Sequence, residues 1–156
     1  MTARRPTLSE AVSLMGSDDA ALATAAVQLL DARYEPRRHE VAAAAITVAG
    51  GIVTGLHVEV SQGRASVCAE SGVASAAAAR GEGIVALVAV LRREDGSDHL
   101  IEPCGVCAEL LAEHWPAARV WVARSGTPQP ITALDLLPYR HDRTGRVAPP
   151  TKENPA

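Results

Sequence analysis

All three cysteines of this 156-residue chain lie in two short stretches, Cys68-Ala69-Glu70 and Pro103-Cys104-Gly105-Val106-Cys107. Each stretch leads into an apolar run that reads as a helix, Cys68 to Arg80 and Cys104 to His114. Three thiols and one carboxylate can therefore meet at two helix N-termini. An odd number of cysteines argues against a disulfide framework. The opening Met1-Thr2-Ala3-Arg4-Arg5-Pro6 is not followed by an apolar core of signal-peptide type. Free thiols in a reducing cytoplasm are the expectation.

Around these stretches the pattern alternates between strand and helix. Thr7 and Glu10 have capping-box spacing ahead of a short helix carrying Leu8, Val12 and Met15 on one face. Ser17-Asp18-Asp19 offers N-cap chemistry for a second helix, in which Leu22, Ala25, Ala26 and Leu29 recur at helical spacing up to Pro36. Val41 to Val48 and Ile52 to Val60 read as antiparallel strands around Gly50-Gly51. Ile84 to Leu91 is an aliphatic run of the kind buried on both faces of a sheet. The polar Arg92 to His99 segment, with Asp95-Gly96, reads as a surface turn. Arg119 to Ala123 is a further strand, a Gly/Pro loop follows, and Thr132 to Leu137 is expected to be a short helix before Pro138. The order predicts an α/β fold with a mixed sheet covered by helices. Residues 1–143 read as one domain, and the Pro-rich, charged segment 144–156 is expected to be a disordered tail.

Composition narrows the partners. A 47% hydrophobic share supports one good core, but aromatics make up only 3%, Phe is absent and the net charge is −3. Tracking of single-stranded nucleic acid needs stacking aromatics and a basic surplus, so no nucleic-acid partner is expected. The most apolar segment, Val41 to Val60, is broken by Gly50-Gly51 and carries His57 and Glu59, so no membrane span is expected.

The chemistry lies in the cysteine stretches. The two-residue gap between Cys104 and Cys107 lets one helical turn present both sulfurs to one ion, with Cys68 as a third ligand. Helix N-termini stabilise thiolates. A zinc ion bound in this way would acidify a water at its fourth position, and Glu70 could carry that proton. A Cys-x-x-Cys pair is also compatible with a redox, structural or accidental role. A structural zinc would need a fourth protein ligand, for which His57 is a candidate.

Cys-Ala-Glu followed by Pro-Cys-x-x-Cys resembles the signature of the cytidine deaminase superfamily, which includes blasticidin-S deaminases. Tyr34-Glu35-Pro36 and Val41-Ala42-Ala43-Ala44 are similar to that family's Tyr-x-Pro and Val-Gly-Ala-Ala segments. Gly51 to Glu59 is similar to its Gly-x-x-x-Thr-Gly-x-Asn-x-Glu strand, and Leu136-Leu137-Pro138 to its C-terminal Leu-Leu-Pro. The resemblance implies a three-layer α/β/α sandwich and a homotetramer with shared active sites. It implies Cys68, Cys104 and Cys107 as zinc ligands and Glu70 as acid/base. The implied substrate is a small cytosine-like nucleoside, either cytidine or deoxycytidine or an aminoacyl nucleoside such as blasticidin S.

The departures fall around the substrate. His57 stands at the family's Asn, which with Glu59 would hold a ribose, and His39 stands where an aromatic packs on the pyrimidine. Ser71 and Ala108 occupy positions where three-cysteine members carry arginine, which leaves helix N–H groups or another cation such as Arg64 to offset the thiolates. Glu109, beside Glu59, would favour a cationic substrate if it faced the pocket.

Overall fold

The computed structural model describes residues 5–123 and 126–140. The segment 144–156, expected to be a disordered tail, lies outside the described residues. The chain forms α1 (Leu8–Val12), α2 (Ser17–Arg33), β1 (Val41–Thr47), β2 (Ile52–Leu56), α3 (Ala69–Ala79), β3 (Ile84–Arg92), β4 (Asp98–Ile101), α4 (Gly105–His114), β5 (Arg119–Val122) and β6 (Gln129–Thr132). Strand order is β2-β1-β3-β5-β6, and β4 pairs with the end of β3. β5 runs parallel to β3 and the other pairings are antiparallel, so the sheet is mixed as the alternation predicts.

The period-2 rule of a strand explains the layers. In β1, Ala42 and Ala44 join Leu22, Ala26 and Leu30 of α2 on one face. Ala43 and Ala45 join Val73, Ala74 and Ala77 of α3 and Leu111 of α4 on the other. β3 divides in the same way, with Val88 and Val90 on the α2 side and Leu87 and Ala89 on the α3 side. The result is the expected sheet with helices on both faces. No helix among the described residues is long and apolar enough to cross a membrane.

Several elements differ from the pattern reading. The capping box of α1 forms, but α2 starts at Ser17 with Gly16 as its N-cap. Asp19, expected near that cap, is buried instead and accepts hydrogen bonds from Trp121 Nε1 at 2.8 Å and Arg119 at 2.9 Å. β4 falls inside the presumed Arg92–His99 turn and continues to Ile101. Its polar residues pair locally: Arg92 bonds Asp98 through two N–H groups at 2.8 and 2.9 Å. His99 is buried between Ser97 Oγ and the Pro6 carbonyl. β6 falls in the presumed Gly/Pro loop, and its Pro130 is tolerated because β6 is an edge strand. The expected Thr132–Leu137 helix is a 3₁₀ turn over Ala133–Leu136, capped by Thr132.

β2 stops at Leu56, short of the expected Val60. From there the chain pairs with other segments: His57 N donates to the Val41 carbonyl, Glu59 N to the Arg38 carbonyl, and Val58 bridges Val67. What carries this end of β2 against α3 is glycine on glycine. A Cβ on Gly55 would run into the Ala69 carbonyl and lie 2.7 Å from the Val73 nitrogen, whereas a Cβ on Gly72 would meet the Gly55 Cα at 3.5 Å.

Backbone cannot yield to a methyl group at Gly55, so Gly55→Ala is expected to destabilise the protein by about 1–3 kcal/mol or more. Gly72→Ala meets only ordinary contact distance and is expected to stabilise by up to about 1 kcal/mol through helix propensity. Thermal or urea unfolding of the two variants measures both, and equal destabilisation would contradict the asymmetry.

Candidate active site and metal centre

α3 and α4 begin side by side. Cys68 is the N-cap residue of α3 and Cys104 that of α4, while Cys107 sits three residues further on, at the end of the first turn. The Cys68 and Cys104 sulfurs are 3.5 Å apart, and all three sulfurs lie within 4.8 Å of one another. Four ligands around zinc at a Zn–S distance of ~2.3 Å put two sulfurs ~3.8 Å apart, so the donor set fits a zinc ion. Among the described residues no fourth side chain joins the cluster. His57, the candidate fourth ligand, has its Nε2 bonded to Glu59 instead, at 2.8 Å. Three thiols without a fourth protein ligand are the pattern of a site that keeps one position for chemistry.

Packing and helix ends set the electrostatics. Cys107 is fully buried, and burial pushes its thiol well up. Burial also acts on Cys104, but the Cys107 backbone N–H, the neighbouring Cys68 and Cys107 thiols and the Val106 N–H together outweigh it and bring that thiol below its ordinary value. Ser71 Oγ lies 3.3 Å from Cys107 Sγ.

Glu70 occupies the first turn of α3 and is 4% exposed. Burial raises its carboxyl above the ordinary range against the opposing pull of its own backbone N–H, His57 and Cys107. It opens onto a cavity of about 180 Å³ lined by Val41, His57, Cys68, Ala69, Glu70, Ile101, Glu102 and Cys104. A buried, raised carboxyl beside a metal-type cluster in a cleft is what proton-transfer chemistry needs.

The cytidine and deoxycytidylate deaminase zinc-binding region matches residues 16–123, a span that includes every residue of this cluster. The chain belongs to the cytidine and deoxycytidylate deaminase family. It is 28% identical over 134 residues to the blasticidin-S deaminase of Bacillus cereus, covering 83% of this chain and 96% of that enzyme. It is 30% identical over 116 residues to the cytidine deaminase of Halalkalibacterium halodurans, covering 72% of this chain and 86% of that enzyme. The crystal structure of cytidine deaminase from Mycobacterium tuberculosis superposes with a TM-score of 0.66 at 29% identity, over 82% of this chain and all of that one.

In this deaminase-family chain the residues singled out from the sequence do not all reach the cavity. Cys68, Cys104, Glu70 and His57 line it, and Cys107 lies in the adjoining sulfur cluster. Glu59 stands behind His57 rather than in the lining. His39 also stands behind it, its Nδ1 2.8 Å from the His57 carbonyl. Glu109 is exposed on α4 and Arg64 is exposed on a 3₁₀ turn, and neither lines the cavity. The charge argument for a cationic substrate built on Glu109 therefore falls.

Two residues escaped the sequence reading. Glu102, directly before Pro103, lines the cavity and accepts from the Ala123 N–H at 2.9 Å and from Arg5 at 2.8 Å. Its position next to the motif is the signal that could have found it. Ser66 donates to Glu59 at 2.8 Å, so Ser66, Glu59 and His57 form a chain of hydrogen bonds ending at the cavity. Nothing in the local pattern marks Ser66.

The Ser66 hydroxyl, and secondly His57, hold the Glu59 carboxyl below the usual carboxylate range. A depressed carboxylate contributes stability that is present above its unfolded pKa and is lost as pH falls through the folded value. Ser66→Ala is expected to lower the melting temperature slightly at neutral pH, with the deficit closing as the solution is acidified below that folded value. A deficit of the same size at every pH would mean that Ser66 acts through packing alone.

Proposed function

We propose that this protein is a zinc-dependent hydrolytic deaminase acting on a small cytosine-like nucleoside. The substrates that fit the reading are cytidine, deoxycytidine and aminoacyl nucleosides such as blasticidin S. Glu70 carries the reading: a nearly buried carboxyl that shares one cavity with Cys68, Cys104 and His57. A metal site that only braces the fold has no use for such a carboxyl, which weighs against a non-catalytic, ligand-binding role.

The cavity, about 180 Å³, is smaller than the roughly 300–1,000 Å³ of typical small-molecule pockets. That is room for one heterocyclic ring, with the rest of the substrate outside. Zinc held by Cys68, Cys104 and Cys107 would supply Lewis-acid activation of the attacking water. Glu70 takes up the proton of that water on a carboxylate oxygen. It delivers protons to the ring nitrogen beside the reacting carbon and to the amine, so that a C–O bond replaces the C–N bond and ammonia leaves. Burial of Glu70 makes it a stronger proton acceptor than a solvated carboxylate, which suits a group that must both take and return a proton near neutral pH.

His57 would orient the part of the substrate outside the ring. Glu59 is held as a carboxylate and can only accept, so the hydrogen between the two residues sits on His57 Nε2. Nδ1 of His57 is buried without a hydrogen-bond partner among the described residues, which leaves it for a substrate hydroxyl or amine. His39 and Ser66 hold this assembly from behind. We further propose a cytoplasmic homotetramer, by analogy with the family, and light scattering after size exclusion measures the assembly.

The test is to incubate the zinc-loaded protein with cytidine, deoxycytidine, cytosine and blasticidin S while following ammonia release and the ultraviolet change. One of the four is expected to be turned over. Glu70→Gln is expected to lower the rate by about 10²–10⁴-fold with zinc still bound. Chelation should abolish turnover and added zinc restore it. Stoichiometric zinc with no turnover of any of the four would favour the non-catalytic role.

A further inference from the structure

Three thiolates outweigh the two positive charges of a zinc ion by one, and Glu70 adds a buried acidic group beside them. Among the described residues no arginine or lysine lines the cavity. The positions where the resemblance leads one to look for a cation hold Ser71 and a buried Ala108. An anionic centre of this kind needs hydrogen-bond donors aimed at its sulfurs, because each donor removes electron density that would otherwise weaken the metal as a Lewis acid.

The sulfurs are not equally supplied. Cys104 is the N-cap residue of α4, so its sulfur lies in the favourable field of the helix N-terminus without a capping hydrogen bond, and it is exposed to water. Cys107 has no access to water, being 0% exposed, and Ser71 Oγ lies 3.3 Å from its sulfur. A helical serine commonly turns its hydroxyl back to the carbonyl four residues earlier. Here that carbonyl, of Val67, accepts from the Val58 N–H at 2.9 Å, and the Ser71 hydroxyl points across to α4. A sulfur that binds metal as thiolate can only accept, so the hydroxyl is the donor.

We propose that Ser71 is a positioning residue of the metal centre, its hydroxyl donating to the Cys107 thiolate in place of a cation and tying the two ligand-bearing helices together. The proposal rests on the reading of the site as a zinc centre. It assigns the charge compensation of that centre to a neutral donor on the residue next to the proton carrier.

The experiment compares wild-type protein, Ser71→Ala and Ser71→Thr, each loaded with zinc for chelator competition and with cobalt(II) for absorption. In Ser71→Ala the sulfur-to-cobalt charge-transfer band is expected to move to longer wavelength, because an unbonded thiolate gives up its electron more easily. Zinc affinity is expected to fall by about 10–100-fold. Ser71→Thr keeps a hydroxyl and is expected to stay close to wild type in both. An unmoved band in Ser71→Ala, or a threonine variant whose band moves as far as that of the alanine variant, would overturn the proposal. Failure of the underlying reading looks different: wild-type protein would then take up neither metal, and the Ser71 proposal would fall with it.

Discussion

The close approach of α3 to the end of β2 is the contact on which the site depends. Gly55 has no side chain, so the first turns of α3 lie directly on the strand, and Gly72 faces it at van der Waals distance. This contact fixes where α3 begins, and therefore where Cys68 and Glu70 stand relative to His57, which follows β2. The four buried alanines of β1, Ala42 to Ala45, extend the same logic to both faces of the sheet. Small side chains keep α2 and α3 near the sheet, and the bulk that fills the core comes from Leu22, Leu30, Leu87 and Leu111.

Electrostatics explains why so much hydrogen bonding is concentrated around one small cavity. The Cys107 sulfur and the Glu70 carboxyl are removed from water there, and an unpaired buried charge is costly. The molecule places Cys104 at the N-terminus of α4, a hydroxyl 3.3 Å from the Cys107 sulfur and a chain of hydrogen-bond partners behind His57. Glu70 is the exception, a carboxyl whose burial is only partly offset. A group held against its solvation preference is what a proton carrier requires, and in a core chosen for stability alone it would be a fault.

Much of the fold was legible along the chain because the signals are local. The capping box at Thr7 and Glu10, the β1–β2 hairpin around Gly50-Gly51 and the aliphatic run of β3 need only neighbouring residues to be read. β4 and β6 were not legible for an equally physical reason. Asp98 and His99 look like surface residues until Arg92, Ser97 and Pro6 are placed around them, and Pro130 argues against a strand until β6 is known to be an edge. The end of β2 is similar: its hydrophobic alternation runs on past Leu56, but the backbone partners change to Val41, Arg38 and Val67.

By itself the sequence determined the chemical inventory: three thiols and one carboxylate, each at the start of a helix, in a chain with the alternation of a mixed α/β sheet. Those properties follow from residue type and short-range spacing. Only the tertiary structure decided that sulfurs 36 residues apart stand 3.5 Å from one another, that His57 lines the cavity while His39, Glu59 and Glu109 do not, and that the Ser66 and Ser71 hydroxyls meet Glu59 and Cys107. These are long-range juxtapositions set by how helices pack across a sheet. No local propensity encodes which hydroxyl will be left facing a buried sulfur.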